Sequence, residues 1–235
     1  MSKYAVIDYR VNETVNKALK MHFDRIIPSF KLNVNPAING HPDLGMCKID
    51  NRKAIVCPSA YEYYKKELPN IEIICGSSEP SEKYPEDVFY NAACKNSIAV
   101  HNFDLTDKIA LAEIKQKFLK HINVQQGYSK CSICFTGSNG IITDDDGIYK
   151  NLKKSGFDIL KIKKGKIILN GMNYGFFGGS TGYINNKIFL NGEIKYLDDA
   201  EVITNYLKEH KTELIEINKG PVTDIGTIIC FDTEI

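Results

Sequence analysis

The sequence predicts an α/β chain of five repeated units, each one helix and three short strands, closed into a ring by the N-terminal strand. Three observations predict it. A helix-period segment recurs five times, with a spacing of about 45 residues. Each helix is followed by one short apolar strand and then, after a loop, by two strand-like runs around a polar turn. The fifth unit stops at Gly226 to Phe231, whereas the first strand, Tyr4-Ala5-Val6-Ile7-Asp8, has no helix before it. Pairing 4–8 with 226–231 would supply the missing strand and cover two edges.

The helices follow from apolar spacing and start signals. Val11, Val15, Ala18, Leu19 and His22 share one stripe. Ser59-Ala60-Tyr61-Glu62 reads as a capping box, with Pro69 as the stop. Thr106-Asp107 opens the third helix, with Leu111, Ile114, Phe118 and Ile122 at helical spacing. Asp144-Asp145-Asp146 opens the fourth and Gly156 ends it; Asp198-Asp199 opens the fifth, before Val202, Ile203, Tyr206 and Leu207. The strand pairs are Leu44–Ile49 with Ala54–Cys57, Val88–Cys94 with Ser97–Val100, Cys131–Phe135 with Gly140–Thr143, and Gly179–Ile184 with Lys187–Leu190. Their turns are Asp50-Asn51-Arg52, Lys95-Asn96, Gly137-Ser138-Asn139 and Asn185-Asn186, the chemistry that hairpins need. No Pro/Ser-rich linker interrupts the series, which predicts a single domain over 1–235.

Composition narrows the function. The 235 residues are 43% hydrophobic and 25% charged, with a net charge of +1. That balance gives no general attraction to nucleic acid or to an acidic membrane. No apolar run of about 18 residues occurs, and Met1-Ser2-Lys3-Tyr4 leads directly into a strand without a signal-like segment. Seven cysteines, an odd number scattered through strands, read as reduced thiols of a cytoplasmic protein. Cys131-x-x-Cys134 lacks a second pair and reads as structural, so neither a metal nor a cofactor is expected. His22, His121 and His210 fall late in helices, where a helix C-terminus favours them. His41 and His101 lie at loop or strand ends and are the acid/base candidates. Asp43 and Asp224, in loops entering strands, can hold a guanidinium in a bidentate fork or simply shape a turn. Asp87 is a weaker candidate of the same kind; Gly179 and Ser180, in Gly178-Gly179-Ser180-Thr181-Gly182, can line a ligand site or allow close packing.

Five such units in a ring resemble the pentein α/β-propeller, the fold of arginine and agmatine deiminases, dimethylarginine dimethylaminohydrolases and amidinotransferases, and of a non-catalytic ribosome anti-association factor. The chain resembles most a small bacterial branch of that fold with no assigned reaction. Gly226-Thr227-Ile228-Ile229-Cys230 is similar to the spacing before the family's nucleophile, which marks Cys230. His41-Pro42-Asp43-Leu44-Gly45 matches the aspartate that holds the guanidinium. Cys131-Ser132-Ile133-Cys134-Phe135-Thr136-Gly137 resembles the family's Gly-Gly-Asp-Val-Leu-Phe-Thr-Gly run without its carboxylate, and 173–180 lacks the family's histidine. The resemblance implies hydrolysis or transfer at a guanidino or amidino C–N bond of a small, cationic, polar ligand through a covalent thiouronium. The alternative it implies is a non-catalytic binding protein for a small molecule or a protein or ribosomal partner.

Overall fold

The computed structural model describes residues 2–137 and 139–234. Met1, and Ser138 of the expected third turn, lie outside the described residues. The strands are β1 (Lys3–Ile7), β2 (Arg25–Pro28), β3 (Met46–Lys48), β4 (Lys53–Val56), β5 (Glu72–Cys75), β6 (Ala93–Lys95), β7 (Ile98–His101), β8 (Lys120–Asn123), β9 (Ile133–Thr136), β10 (Gly140–Thr143), β11 (Asp158–Lys161), β12 (Thr181–Ile184), β13 (Lys187–Leu190), β14 (Glu213–Glu216) and β15 (Ile229–Asp232). The helices are α1 (Glu13–Leu19), α2 (Pro42–Gly45), α3 (Tyr61–Glu67), α4 (Lys108–Lys117), α5 (Ser129–Ser132), α6 (Asp146–Lys154) and α7 (Ala200–Glu209).

The described strands form five three-stranded sheets, ordered β15-β1-β2, β3-β4-β5, β6-β7-β8, β9-β10-β11 and β12-β13-β14. In each, the first strand pairs antiparallel with the second, and the second pairs parallel with the third. Parallel neighbours need a crossover, and α1, α3, α4, α6 and α7 supply one each. The middle strands are buried along nearly their whole length, while the third strands are mostly exposed. Burial on both faces explains why runs such as Gly140-Ile141-Ile142-Thr143 are apolar without alternation. The hairpin turns use left-handed residues: Asn96 at φ 53°, and Asn185 and Asn186 at 50° and 59°.

The terminal strands pair as expected, in the register Lys3↔Asp232, Tyr4↔Phe231, Ala5↔Cys230 and Val6↔Ile229. The last strand begins at Ile229, three residues later than its sequence suggests. Gly226 at φ 70° and Thr227 at φ 65° bend the chain before it can extend. The other first strands also start late. Single helical turns, α2 and α5, and a 3₁₀ turn over Gly178–Ser180 precede β3, β9 and β12. These turns carry Asp43, Gly179 and Ser180 of the candidate site residues.

The expected caps differ in outcome. Asp145 caps α6 through Ile148 N at 2.8 Å, and Gly156 follows it at φ 80°. Ser59 does not cap α3. Its N and Oγ both donate to the Glu79 carboxylate, and a 3₁₀ turn over Pro58–Ala60 starts the helix instead. Asp107 caps α4 with one oxygen, accepting from Ile109 N and Ala110 N at 2.9 and 3.0 Å. Its other oxygen accepts from Ser77 N and Oγ at 2.8 and 2.6 Å. Losing a cap and a loop anchor together, Asp107→Ala should destabilise the protein by about 2 kcal/mol in a urea titration at pH 7, where a capping residue alone costs about 1.

Candidate functional site

The turns before the first strands bring Asp43, Asn91, Cys131, Asp224 and Thr227 together from four separate sheets. Asp43, on α2, is buried and accepts at Oδ2 from Thr227 Oγ1 at 2.6 Å and from the Cys131 thiol at 3.0 Å. Its Oδ1 has no hydrogen-bond partner among the described residues. Burial pushes its carboxyl up to about 6, although the bonds from Thr227 and Cys131 oppose the shift. Cys131 lies on α5, a turn made by one fully buried side chain. Asn91 Oδ1 accepts from Lys130 N at 2.8 Å and Cys131 N at 3.2 Å, and its Nδ2 donates to Asp43 O and to Cys131 Sγ, both at 3.2 Å. Burial, then the charges of Asp43 and Asp224, hold the Cys131 thiol well above its ordinary value.

Asp224 is held by two backbone amides, from Phe176 to Oδ2 and from Gly226 to Oδ1, both at 2.8 Å. Gly179 allows this packing. A Cβ there would sit 2.2 Å from Asp224 Oδ1. His41 Nδ1 faces Asp224 Oδ1 at 3.9 Å, and its Nε2 has no partner among the described residues. Burial lowers the basicity of His41 despite Asp224 and Asp8 nearby, which favours the neutral ring. Burial raises the carboxyl of Asp224, opposed chiefly by His41. Asp144, whose Oδ2 accepts from Phe177 N at 3.4 Å, is pushed up to about 7 by burial, and its Oδ1 is unpartnered. Thr227 is strained, because a β-branched residue at φ 65° is an outlier. That backbone delivers its hydroxyl to Asp43.

His41, Cys131 and Asp224 line one cavity of about 320 Å³, walled by Tyr128, Tyr174 and Phe176. No lysine or arginine lies among its lining residues. Asp224 also borders a larger cleft of about 800 Å³ that reaches the Asp8–Arg10 pair. Asp87 stands behind the wall, accepting from Tyr128 Oη.

Three other expected residues lie elsewhere. His101 is buried with both ring nitrogens engaged, Nδ1 to Thr106 Oγ1 at 2.6 Å and Nε2 to Gly127 O at 2.9 Å, and burial pushes it down to about 4. Ser180 donates to Phe177 O at 2.7 Å, inside its own turn. Cys230 packs with Ala5, Ile184 and Ile228, and burial pushes its thiol up to about 12. It borders a different cavity, with Lys48. Sequence reasoning missed Cys131 as a pocket residue. The signal was its position, immediately before the place where the resembled run carries its carboxylate.

A family model described as a family of unknown function, DUF6873, matches residues 6–229. The chain belongs to this family. Solved structures resemble the DUF6873 chain over nearly its whole length. An agmatine deiminase from C. jejuni shares 12% identity at a TM-score of 0.57, covering 92% of this chain and 88% of its own. A DDAH from Pseudomonas aeruginosa, complexed with citrulline, shares 9% at 0.55, covering 93% and 92%. No curated protein sequence matches. The likenesses show that the DUF6873 chain has the fold of these two structures. No helix among the described residues is long and apolar enough to cross a membrane, and no described cluster of His, Cys, Asp and Glu could hold a metal.

Proposed function

We propose that the five sheets are the blades of a closed ring, and that the His41–Cys131–Asp224 cavity binds a small molecule bearing a guanidinium or amidinium group. The terminal-strand pairing and the five first strands, which border one common cavity, support the ring. One observation carries the ligand class: the buried carboxylate of Asp224 lines an aromatic-walled cavity with no lysine or arginine in its lining, and Asp43, hydrogen-bonded to the Cys131 thiol of the same lining, keeps one oxygen unpaired. A carboxylate binds a planar cation through a fork of hydrogen bonds, and aromatic faces attract it.

The chemistry proposed is C–N hydrolysis or amidino transfer. A bound cation offsets the two carboxylates that hold the Cys131 proton in place, and the Sγ–H bond already points at Asp43. Sγ attacks the guanidinium carbon as its proton passes to Asp43. The same proton then goes to the leaving amine, and a thiouronium remains. Water attacks that carbon and His41 Nε2 accepts one of its protons; the C–S bond then breaks to release a urea, whose hydroxyl proton returns to Sγ, and His41 gives its proton to solvent. The family spacing marks Cys230 as nucleophile; the cavity geometry favours Cys131. A binding protein without catalysis is the second reading, favoured by the raised basicity of both thiols.

Chloroacetamidine, a cationic electrophile, tested against neutral chloroacetamide separates these readings. Peptide mass spectrometry of the native protein should place the adduct on Cys131, forming at least tenfold faster with the cationic reagent, and Asp224→Asn should remove that preference. An adduct on Cys230 would move the nucleophile to the family position. Silence at both thiols until unfolding would leave the binding reading alone.

A further inference from the structure

A second cavity, of about 560 Å³, is bordered by all five first strands or the turns beside them. Thr227 borders it too, while its hydroxyl bonds Asp43 beside Cys131. The two cavities therefore approach each other across the Thr227–Asp43 pair, but their charges are opposite. Four lysines line the second one, Lys48, Lys95, Lys117 and Lys130, against a single carboxylate, Asp50. Lys117 pairs with that carboxylate at 2.7 Å.

The other three ammonium groups have no carboxylate within ion-pair distance among the described residues. Lys48 Nζ donates to Asn51 Oδ1 at 2.9 Å and to Cys230 O. Lys95 Nζ donates to Gly137 O and to Thr136 O, the latter at 3.5 Å. Lys130 Nζ donates to Ile133 O at 3.4 Å. Two of them lie against rings, Lys95 over Tyr183 at 3.9 Å and Lys48 over Phe231 at 5.1 Å. Burial lowers both Lys48 and Lys95 to about 8, and the charge on Lys130 lowers Lys48 further. Amide and carbonyl oxygens satisfy hydrogen bonds but do not neutralise three like charges lining one cavity. An anion does.

We propose that this cavity binds a phosphate monoester, its oxyanion held by Lys48, Lys95 and Lys130. Lysine binds phosphate as a point charge with rotatable donors, and ammonium groups carried by β3, β6 and α5 suit a tetrahedral group better than a planar carboxylate. Phe135 and Ile229 on the same walls suit the organic part of an ester. Two cavities of opposite charge, meeting at Asp43 and Thr227, would let this anion influence the acidic pocket. The site itself stands on its own residues, so its failure leaves the guanidinium reading untouched.

Phenyl phosphate is the probe, with inorganic phosphate, benzoate and benzyl alcohol beside it at constant ionic strength. Calorimetry should give binding in the order phenyl phosphate, phosphate, benzoate, with none for the alcohol. Lys48→Met and Lys95→Met should each weaken phenyl phosphate at least tenfold, whereas Lys208→Met, an exposed control on α7, should not. In anion-free buffer both Met variants should melt at or above the wild-type temperature, because a half-buried ammonium with no ion-pair partner among the described residues has been removed. Lower melting would assign these lysines a structural role and overturn the proposal. Acylation by sulfosuccinimidyl acetate, read peptide by peptide in the unaltered protein, should slow at least threefold at Lys48 and Lys95 when phenyl phosphate is present. No binding at millimolar probe, equal binding by all variants, or benzoate binding as tightly as phenyl phosphate would also overturn it.

Discussion

Replacing Gly226 with alanine should destabilise the protein by about 2–5 kcal/mol, a large part of the 5–15 kcal/mol that holds a typical domain together. Two effects add. Gly226 sits at φ 70°, where an L-residue costs about 1–2 kcal/mol. A Cβ there would also lie 2.1 Å from His41 Cβ and 2.4 Å from His41 Cα. The second contact is backbone, so no rotamer change relieves it, and overpacking of this kind costs about 1–3 kcal/mol. Gly156→Ala is the control. It has nearly the same φ, at 80°, but nothing lies within 4 Å of its Cβ position. Urea denaturation should separate the two variants by about 1–3 kcal/mol. Equal losses would mean that the His41 contact yields easily, and that the wall of the pocket is softer than its packing indicates.

The second large effect concerns pH. Asp144 titrates near 7 in the folded protein because burial disfavours its charge, against 3.8 for the free side chain. A carboxyl with a raised folded pKa binds more protons folded than unfolded between those two values. Stability therefore falls as pH rises from about 4 to about 7, and levels off above. Asn imitates the protonated acid. Asp144→Asn should match the wild type near pH 4 and exceed it by about 2–4 kcal/mol at pH 8, since each pKa unit is about 1.4 kcal/mol. Asp43, pushed to about 6, adds a smaller loss over an overlapping window. Urea denaturation from pH 4 to 8 tests this. A constant difference between variant and wild type would mean that Asp144 ionises as freely folded as unfolded. A bound cation reverses the penalty, so the proposed ligand should stabilise the protein more at pH 8 than at pH 5.

The sequence made the repeat readable because its elements are locally consistent. Asp107 and Asp145 cap the helices they precede, Asn185 and Asn186 turn the hairpin between them, and the middle strands are apolar on both faces. His41, Asp43 and Asp224 could be nominated together because each lies in a loop entering a first strand. Cys131 could not. Its run reads as strand, and the turn that lifts it out is set by Asn91, forty residues away in the chain. The mistaken capping box has a similar cause, since Glu79 takes Ser59 for a loop contact that no local pattern announces. The basic cavity was hidden more thoroughly. Lys48, Lys95 and Lys130 look like ordinary surface lysines until β3, β6 and α5 bring them to one cavity.

The pairing of Lys3 with Asp232 has a consequence in time. The sheet β15-β1-β2 is the only described sheet whose inner strand comes from the far end of the chain. While a ribosome makes the protein, β1 and β2 can pair early, but the other edge of β1 stays open and apolar until the last strand emerges. Closing so long a loop is entropically slow, and an open edge invites pairing with a neighbouring chain. Asp224, Gly226 and Thr227 travel on the segment that ends this wait. The pocket lined by His41, Cys131 and Asp224 is thus complete only once residues 224–232 have joined, and a chain halted before them would carry the other four sheets, no Thr227–Asp43 bond and one adhesive edge.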